Sequence, residues 1–406
     1  MPSRILLISP FFYPEAISTG KYNTAIAQAL ARTGAEVSVL TSHPLYPAWK
    51  PVRSNEQLEG IAITRGGAQV RYPRRPVLRR IVLESWFAWH AGRAAGRFID
   101  RVDTVVAVFP PNLFFRRVDR MLPARVKRIG ILHDLQAIMG TSGGRGLNSA
   151  LRRGIQRIEG DALRRCDVIV ALSDSMAEQV NKIYGIDPGR IVVRYPFVTI
   201  DTAKPLGTRL ADLFPPQYAH IVYSGALGKK QEPMRLYGLL QAAAERLPNV
   251  MCHIFSEGPS VEMLKALHAS EPQGRVCFHP LVAEADLEEL YARSTLQLIP
   301  QATGMQEGCI PSKLPNLIAS GVAVMAICER GCELYRLVEG AQPGACATSW
   351  DVDSILPQLE MLLRRAETES QMVRRQRAAG FASTMFSLDR LIDTLCPQHS
   401  ARAVAV

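Results

Sequence analysis

Six short segments gather residue types that handle phosphates and sugars, each directly after an apolar run. The richest is QATGMQEGCIPSKLPNLIASGVAVMA, residues 301–326, where a Gly-containing loop with Glu307 leads through Pro311, Ser312 and Lys313 into a short helix. Ser312 and Lys313 stand where the unpaired N–H groups of a helix start meet phosphate. Asn316, one turn on, can reach a ribose hydroxyl, and Ala319, Ser320 and Gly321 permit close packing on the next strand. A purely structural account of that whole set is hard to sustain. In VYSGALGKKQEP, residues 222–233, Gly225 and Gly228 flank a turn carrying Lys229 and Lys230. Tight glycines beside ammonium groups suit a diphosphate, and a surface turn with solvated lysines is the plainer reading.

The other segments are individually weaker. His133 and Asp134 follow the run Ile129–Leu132, where an open sheet places its active-site groups. Read as structure alone, Asp134 caps a helix and His133 fills a loop. In SPFFYPEAISTGKYN, residues 9–23, a loop enters a helix through Ser18, Thr19 and Gly20, with Lys21 adding charge. It is neither a GxGxxG fingerprint nor a P-loop, and an ordinary strand–helix loop explains it equally well. Residues 255–264 make a strand, a Gly-Pro turn at Gly258 and a helix. In residues 278–294, His279, Pro280, Leu281 and Val282 are placed to flank a base, and the acidic stretch beyond reads as a solvated amphipathic helix.

The elements that must position these residues follow one repeating pattern. Arg4–Ser9 and Val37–Leu40 read as strands, with a helix Lys21–Thr33 between them that Gly34 stops. Strands Val105–Phe109, Ile129–Leu132 and Val168–Leu172 alternate with helices such as Leu151–Arg165. Tyr195–Gln217, with four prolines and no periodicity, reads as a linker. The alternation restarts with strands Ile221–Ser224, Met251–Phe255, Val276–Phe278, Leu296–Ile299 and Val322–Ile327. Continuous apolar runs between helices predict parallel sheets covered on both faces, hence two doubly wound α/β domains in series.

Charge divides the chain unevenly. Residues 1–200 hold 29 Lys and Arg against 15 Asp and Glu, and residues 201–406 hold 19 against 22. The first half therefore expects an anionic partner, and no nucleic-acid signature accompanies it. Residues 65–97 interleave arginines with Val77, Leu78, Ile81 and tryptophans. That pattern suits the interface of an anionic bilayer, with Arg74, Arg75, Arg79, Arg80 and Trp86 as contacts. The plainer reading is a core-packing helix with a solvated basic face. No apolar run reaches the length of a membrane span, and residues 1–10 read as a first strand rather than a signal peptide. The eight cysteines are scattered and without zinc spacing, which predicts reduced thiols in a cytoplasmic protein.

Taken in order, SPFFYPE…TGKY, HDL, YSGALGKKQ and EGCIPSKLPNLIASGVAV resemble the retaining glycosyltransferases of family 4, nearest the branch that makes colanic acid and other exopolysaccharides. The likeness spans roughly residues 4–340, and PSKL is its most specific part. It implies the GT-B fold: an acceptor domain over 1–198, a nucleotide-sugar domain over 199–380, and a tail over 381–406 whose helix Ser387–Leu395 returns to the first domain. It implies a donor set of Gly20, Gly225, Lys230, Gly258, Pro280, Leu281, Glu307, Ser312, Lys313 and Asn316, with His133, Asp134 and Lys230 at the chemistry. Two positions depart from the family pattern. Ala226 replaces the usual Arg, and Gly308 (beside Glu307) and Asn316 replace two glutamates with seven residues between them, which puts a carboxylate clamp on the ribose in doubt.

A retaining transfer must stabilise a departing diphosphate and a cationic sugar on one face. Lys230 and helix N-termini would carry the phosphate charge, the departing phosphate would take the acceptor proton, and His133 or Asp134 would position sugar or acceptor. The expectation is a nucleotide-sugar co-substrate with no metal or other cofactor, the string Asp351–Asp353 reading as helix-capping. The expected acceptor is a glycan on polyprenyl diphosphate, met at the cytoplasmic face of an anionic membrane by a peripheral enzyme. An epimerase of similar fold and a non-catalytic nucleotide-binding scaffold are the competing readings.

Overall fold

The computed structural model describes residues 2–15, 17–136, 149–201, 206–270, 274–302, 304, 310–341 and 344–397, with backbone only at 149–151. Glu307 and Gly308 lie outside the described residues. The chain divides into two compact units: Met1–Tyr195 with Leu388–Val406, and Pro196–Ser387.

The first unit is built on a seven-stranded parallel sheet. Its strands are β1 (Arg4–Ile8), β2 (Glu36–Ser42), β3 (Ile61–Gly66), β4 (Thr104–Phe109), β5 (Lys127–Leu132), β6 (Val168–Ala171) and β7 (Ile191–Val193), in the order β3-β2-β1-β4-β5-β6-β7. The second has β8 (Ala219–Ser224), β9 (Val250–Phe255), β10 (Val276–His279), β11 (Leu296–Pro300), β12 (Ala323–Ile327) and β13 (Gly344–Ala347), in the order β10-β9-β8-β11-β12-β13. Each chain path therefore winds outward from its first strand, then returns and winds the other way. The order reverses between β1 and β4 and between β8 and β11, and a doubly wound sheet leaves a crevice at the carboxyl ends there. Ile5, Leu6, Leu7, Ile8 and all of Val105–Phe109 are buried, as central strands covered on both faces must be.

The strands that periodicity does not reveal are β3, β7 and β13. All three are sheet edges, mostly half-buried, so they carry no continuous apolar run.

Tyr195–Gln217 is not a free linker. From Pro196 onward it is strapped to the second unit: the Asp201 N–H donates to Glu288 at 2.7 Å, the Leu210 N–H to Glu289 at 3.0 Å, and Phe214 is buried against Phe255. The acidic helix Leu287–Arg293 is accordingly less solvated than expected, with Glu289 buried and paired to Arg293 at 2.7 Å. The helix Gln371–Met385, which a boundary at 380/381 would cut, belongs wholly to the second unit. Its close packing explains Gly321: φ is +73°, and a Cβ there would lie 2.6 Å from the Arg375 nitrogen. That glycine therefore serves a helix–helix approach rather than the expected helix–strand contact. The helix Leu388–Leu395 returns to the first unit, where Arg194 donates to the Arg390 carbonyl at 3.0 Å.

Candidate active site

At the reversal point of the second unit the sheet splits. β8 and β11 pair only at Ile221/Leu296 and Val222/Gln297, so the carbonyls beyond that point have lost their ladder donors. Lys313 supplies them. Its Nζ donates to the Ser224 carbonyl at 3.0 Å and the Leu298 carbonyl at 2.9 Å, and lies 4.5 Å from the centre of the Tyr223 ring. The amine end is enclosed although the residue as a whole is half-buried, and burial lowers its pKa to about 7. A neutral amine still has two N–H donors, enough for both carbonyls.

A cavity of about 350 Å³ opens at this split. Tyr223, Ser224, Gly225 and Ala226 line it from β8, Phe255 from β9, Leu281 and Val282 from the loop after β10, and Ile299 and Pro300 from β11. Pro311, Ser312 and Lys313 close it on the helix side. Gly225 takes φ +123°, a backbone state that side chains disfavour. Its N–H is already given to the Phe255 carbonyl, and that of Gly228 to Gln231, so neither amide is spare for phosphate.

Of the expected donor residues, Gly225, Leu281, Ser312 and Lys313 share this cavity. Four others do not. Lys230 is exposed and absent from the lining, its backbone carbonyl accepting the Ala302 N–H, and its neighbour Gln231 lines the wall instead. Gly258 (φ +105°) serves the turn into the helix Pro259–Ser270, and Pro280 is exposed to one side. Asn316 is buried with its amide committed: the Thr199 N–H donates to its oxygen at 2.8 Å and its nitrogen donates to the Thr199 hydroxyl at 2.9 Å. It braces the start of the second unit, buried and off the cavity wall.

The first unit carries a second cavity, of about 360 Å³, at its own reversal point. Phe11, Ile17 and Thr19 come from the loop after β1, Trp49 from the segment after β2, Pro110 and Pro111 from after β4, and His133 and Asp134 from after β5. The helix α1 (Ser18–Arg32) starts at this rim, and Thr19, not Gly20, reaches the space. Gly20 instead lets the helix approach Glu15, whose Cβ would lie 2.9 Å from an added Cβ. Glu15 is buried and accepts the Leu45 and Tyr46 N–H groups, fixing the loop after β2. His133 is half-buried, but its Nε2 is enclosed with no partner among the described residues, and burial lowers its pKa to about 4, so the ring is neutral at physiological pH.

The helix α2 (Pro76–Ala94) supplies Arg79, Arg80, Leu83 and Glu84 to this cavity. Arg79 stacks on Trp49 at 4.1 Å. Burial lowers the Arg80 pKa, opposed by Glu84, Glu159 and Asp134. Glu84 holds the far wall by accepting the Asn112 and Leu113 N–H groups at 2.9 Å. Arg79 and Arg80 thus face a cavity rather than open surface. Trp86 is also misplaced by the sequence reading: it packs on Phe87 and donates from its ring nitrogen to Tyr72. The exposed apolar residues of α2 are Val77, Leu78, Ile81 and Trp89, with Arg74 and Arg75 exposed just before them. No described helix is long and apolar enough to cross a membrane. Asp351 starts the helix Val352–Thr368 without a side-chain cap, and Asp353 pairs with Arg246.

Two doubly wound parallel sheets in series, each with a cavity where its strand order reverses, have the GT-B architecture. Solved structures of that fold align over the whole chain. WaaG, a glycosyltransferase of lipopolysaccharide biosynthesis, has a TM-score of 0.67 at 16% identity, covering 97% of this chain and 99% of its own. HepE of Anabaena, solved with UDP and glucose, has a TM-score of 0.66 at 15% identity, covering 98% and 100%. Residues 19–202 match the family model of Glycosyltransferase Family 4. WcaI of Escherichia coli (strain K12), a glycosyl transferase provisionally assigned to colanic acid biosynthesis, is 26% identical over 363 residues, 83% of this chain and 86% of WcaI. The chain is a glycosyltransferase, and its residues 19–202 carry the family 4 match.

Proposed function

We propose that this enzyme transfers a sugar, with retention, from a nucleotide-diphosphate sugar bound in the second unit to a lipid-linked acceptor glycan bound in the first, in the synthesis of a cell-surface polysaccharide. The observation that carries the reading is the pair of cavities and their contrast. That of the second unit presents aromatic and aliphatic walls with Ser312 among them, suited to a base and its phosphates. That of the first presents Arg79, Arg80 and Asp134 around the neutral His133 ring, suited to a sugar and an adjoining anion. The likeness to WcaI supports an exopolysaccharide product, and the likeness to HepE supports a nucleotide-sugar donor. No cofactor beyond that donor is invoked. On this reading, His133 and Asp134 position sugar or acceptor hydroxyls, and the departing diphosphate takes the acceptor proton, as a same-face transfer requires.

The acceptor is met at the cytoplasmic membrane face, by peripheral contact. Val77, Leu78, Ile81 and Trp89 supply the apolar surface, and Arg74 and Arg75 the charge for anionic lipid. The test is transfer from a panel of nucleotide sugars to polyprenyl diphosphate-linked glycans in anionic vesicles, with the product anomer read by NMR. A retained anomer on a lipid-linked product supports the reading, whereas an inverted anomer, or transfer only to water-soluble acceptors, overturns it. Sedimentation with the same vesicles separates the membrane contact: Ile81→Ser with Trp89→Ser should abolish binding, and Trp86→Phe should not.

A further inference from the structure

Three histidines run side by side across one face of the second sheet; none lines either cavity, although His279 stacks on the wall residue Phe255 at 4.4 Å. His220 on β8, His253 on β9 and His279 on β10 form a hydrogen-bonded row. The row has a fixed direction. His220 Nε2 lies 3.0 Å from the Pro215 carbonyl, which can only accept, so that nitrogen carries the proton. A neutral imidazole protonated at Nε2 carries its lone pair at Nδ1. His220 Nδ1 is therefore a lone pair, and it accepts from His253 Nε2 at 3.0 Å. His253 Nδ1 is in turn a lone pair, directed at His279 Nε2, also at 3.0 Å. One backbone carbonyl thus sets the tautomer of a ring two strands away.

Beside that lone pair stands Cys277, opposite His253 in the β9/β10 register. Ligand atoms of His253, Cys277 and His279 all lie within 4.8 Å of one another, and Cys277 and His279 are only half-buried, leaving an entry path. We propose that His253 Nδ1, His279 Nε2 and the Cys277 sulfur bind a zinc-class metal ion, with the fourth position open to water. Bonds of about 2.0–2.1 Å to nitrogen in a tetrahedral site separate two nitrogens by roughly 3.3 Å, so the rings need part by only a few tenths of an ångström. The metal takes the place of the Nε2 proton of His279, which moves to Nδ1, and displaces the thiol proton of Cys277 to solvent. The outer shell is already built: a ligating histidine is oriented by what its other nitrogen donates to, and His253 donates to His220, itself held by Pro215. The site is separate from the transfer reaction and does not depend on the donor or acceptor assignment.

The experiment titrates the metal-stripped full chain with Zn²⁺ against a chromophoric chelator, and with Co²⁺ followed optically. One equivalent should bind, with a thiolate-to-cobalt charge-transfer band in the near ultraviolet. Cys277→Ser should abolish that band and weaken Zn²⁺ at least tenfold. It should leave the stability of the metal-free protein unchanged, because Cys277 is not part of the histidine row. His279→Gln should weaken Zn²⁺ similarly. Cys328→Ser is the control, because Cys328, Cys332 and Cys346 interact within the same unit. Absence of stoichiometric uptake, affinity unchanged in both variants, or a charge-transfer band that follows Cys328 would each overturn the proposal.

Discussion

The two cavities occupy equivalent places in sheets wound the same way, yet they solve the reversal point differently. In the first unit β1 and β4 stay paired over four residues, from Ile5/Thr104 to Ile8/Ala107. The loop beyond is held by Asn23, which donates to the Ser9 hydroxyl and the Phe11 carbonyl, each at 2.9 Å. A neutral amide does the bracing, and the charged side chains Arg79, Arg80, Glu84 and Asp134 are left at the cavity wall. In the second unit the ladder ends after two pairs, and a lysine stands in for the missing strand contacts. Among the described residues, the only ionisable lysine or acidic side chain lining that cavity is thus also part of the sheet. The same topology gives one cavity whose Arg79 and Arg80 stand outside the strand ladder, although Glu84 braces Asn112 and Leu113, and one whose lysine belongs to the sheet.

Removing Lys313 should therefore have the largest effect. Lys313→Met leaves the Ser224 and Leu298 carbonyls without donors at about 1–3 kcal/mol each, so a loss on the order of 2–5 kcal/mol is expected in urea unfolding of the second unit. A loss below about 1 kcal/mol would mean that Lys313 serves ligand alone. The pH dependence sharpens the point. The folded pKa is about 7 against 10.5 for the free side chain, so between those values the unfolded chain binds the extra proton and stability rises with pH. Lys313→Met should remove that rise between pH 7 and 10.

Lys313 also shows what was and was not legible in the sequence. The central strands, the two-domain α/β architecture and the positions of both cavities were readable, because doubly buried strands leave apolar runs and ligands bind at their carboxyl ends. His133, Asp134, Gly225, Leu281, Ser312 and Lys313, picked on that ground, line the two cavities. Lys230 and Asn316 were not placed correctly, because spacing puts a residue on a turn or helix face but cannot say that Thr199, over a hundred residues away in the chain, occupies its amide. The α2 residues failed for a related reason. A helix that alternates arginine with apolar residues presents both a buried and an exposed face, and only packing against Trp49 and Tyr72 shows which arginines and which tryptophan go inward. Tyr223, Gln231 and Trp49 left no signal beyond lying just at or after strand ends.

In the first unit, changes at the cavity wall should reach function before stability. His133→Ala should lower kcat/KM about 10–100-fold, the effect of losing one buried hydrogen bond to substrate at about 1.5–3 kcal/mol, with unfolding little changed because Nε2 has no partner among the described residues to lose. Because burial holds the ring neutral down to about pH 4, the acid limb of the activity profile should be unmoved by His133→Gln between pH 5 and 7. Arg80→Ala should raise the acceptor KM and leave the donor KM alone. A donor-specific effect would exchange the roles of the two cavities. Asn316→Ala is the mirror case in the second unit. It should cost about 1–2 kcal/mol of stability, because the Thr199 N–H and hydroxyl lose their partner, with donor KM unchanged.

The smallest expected effect is at Lys230, and it bears directly on the contrast between the cavities. The family resemblance makes this lysine the diphosphate ligand, and the geometry does not: its side chain is exposed, and Gln231 takes the wall position beside it. An exposed ammonium acts on a nearby phosphate only through solvent, where the interaction is weak and screened over about 10 Å at 0.1 M salt. Lys230→Ala should therefore change nucleoside diphosphate affinity by less than about 0.5 kcal/mol, and by less still as salt is raised. Calorimetry with UDP and GDP at two salt concentrations measures this. A salt-insensitive loss of about 1–3 kcal/mol would mean direct contact in the bound state, which requires the turn Lys229–Gln231 to rearrange and its Ala302 hydrogen bond to break. In that event the cavity of the second unit gains a dispensable charge on ligand binding, and the difference between the two units holds only for the unliganded protein.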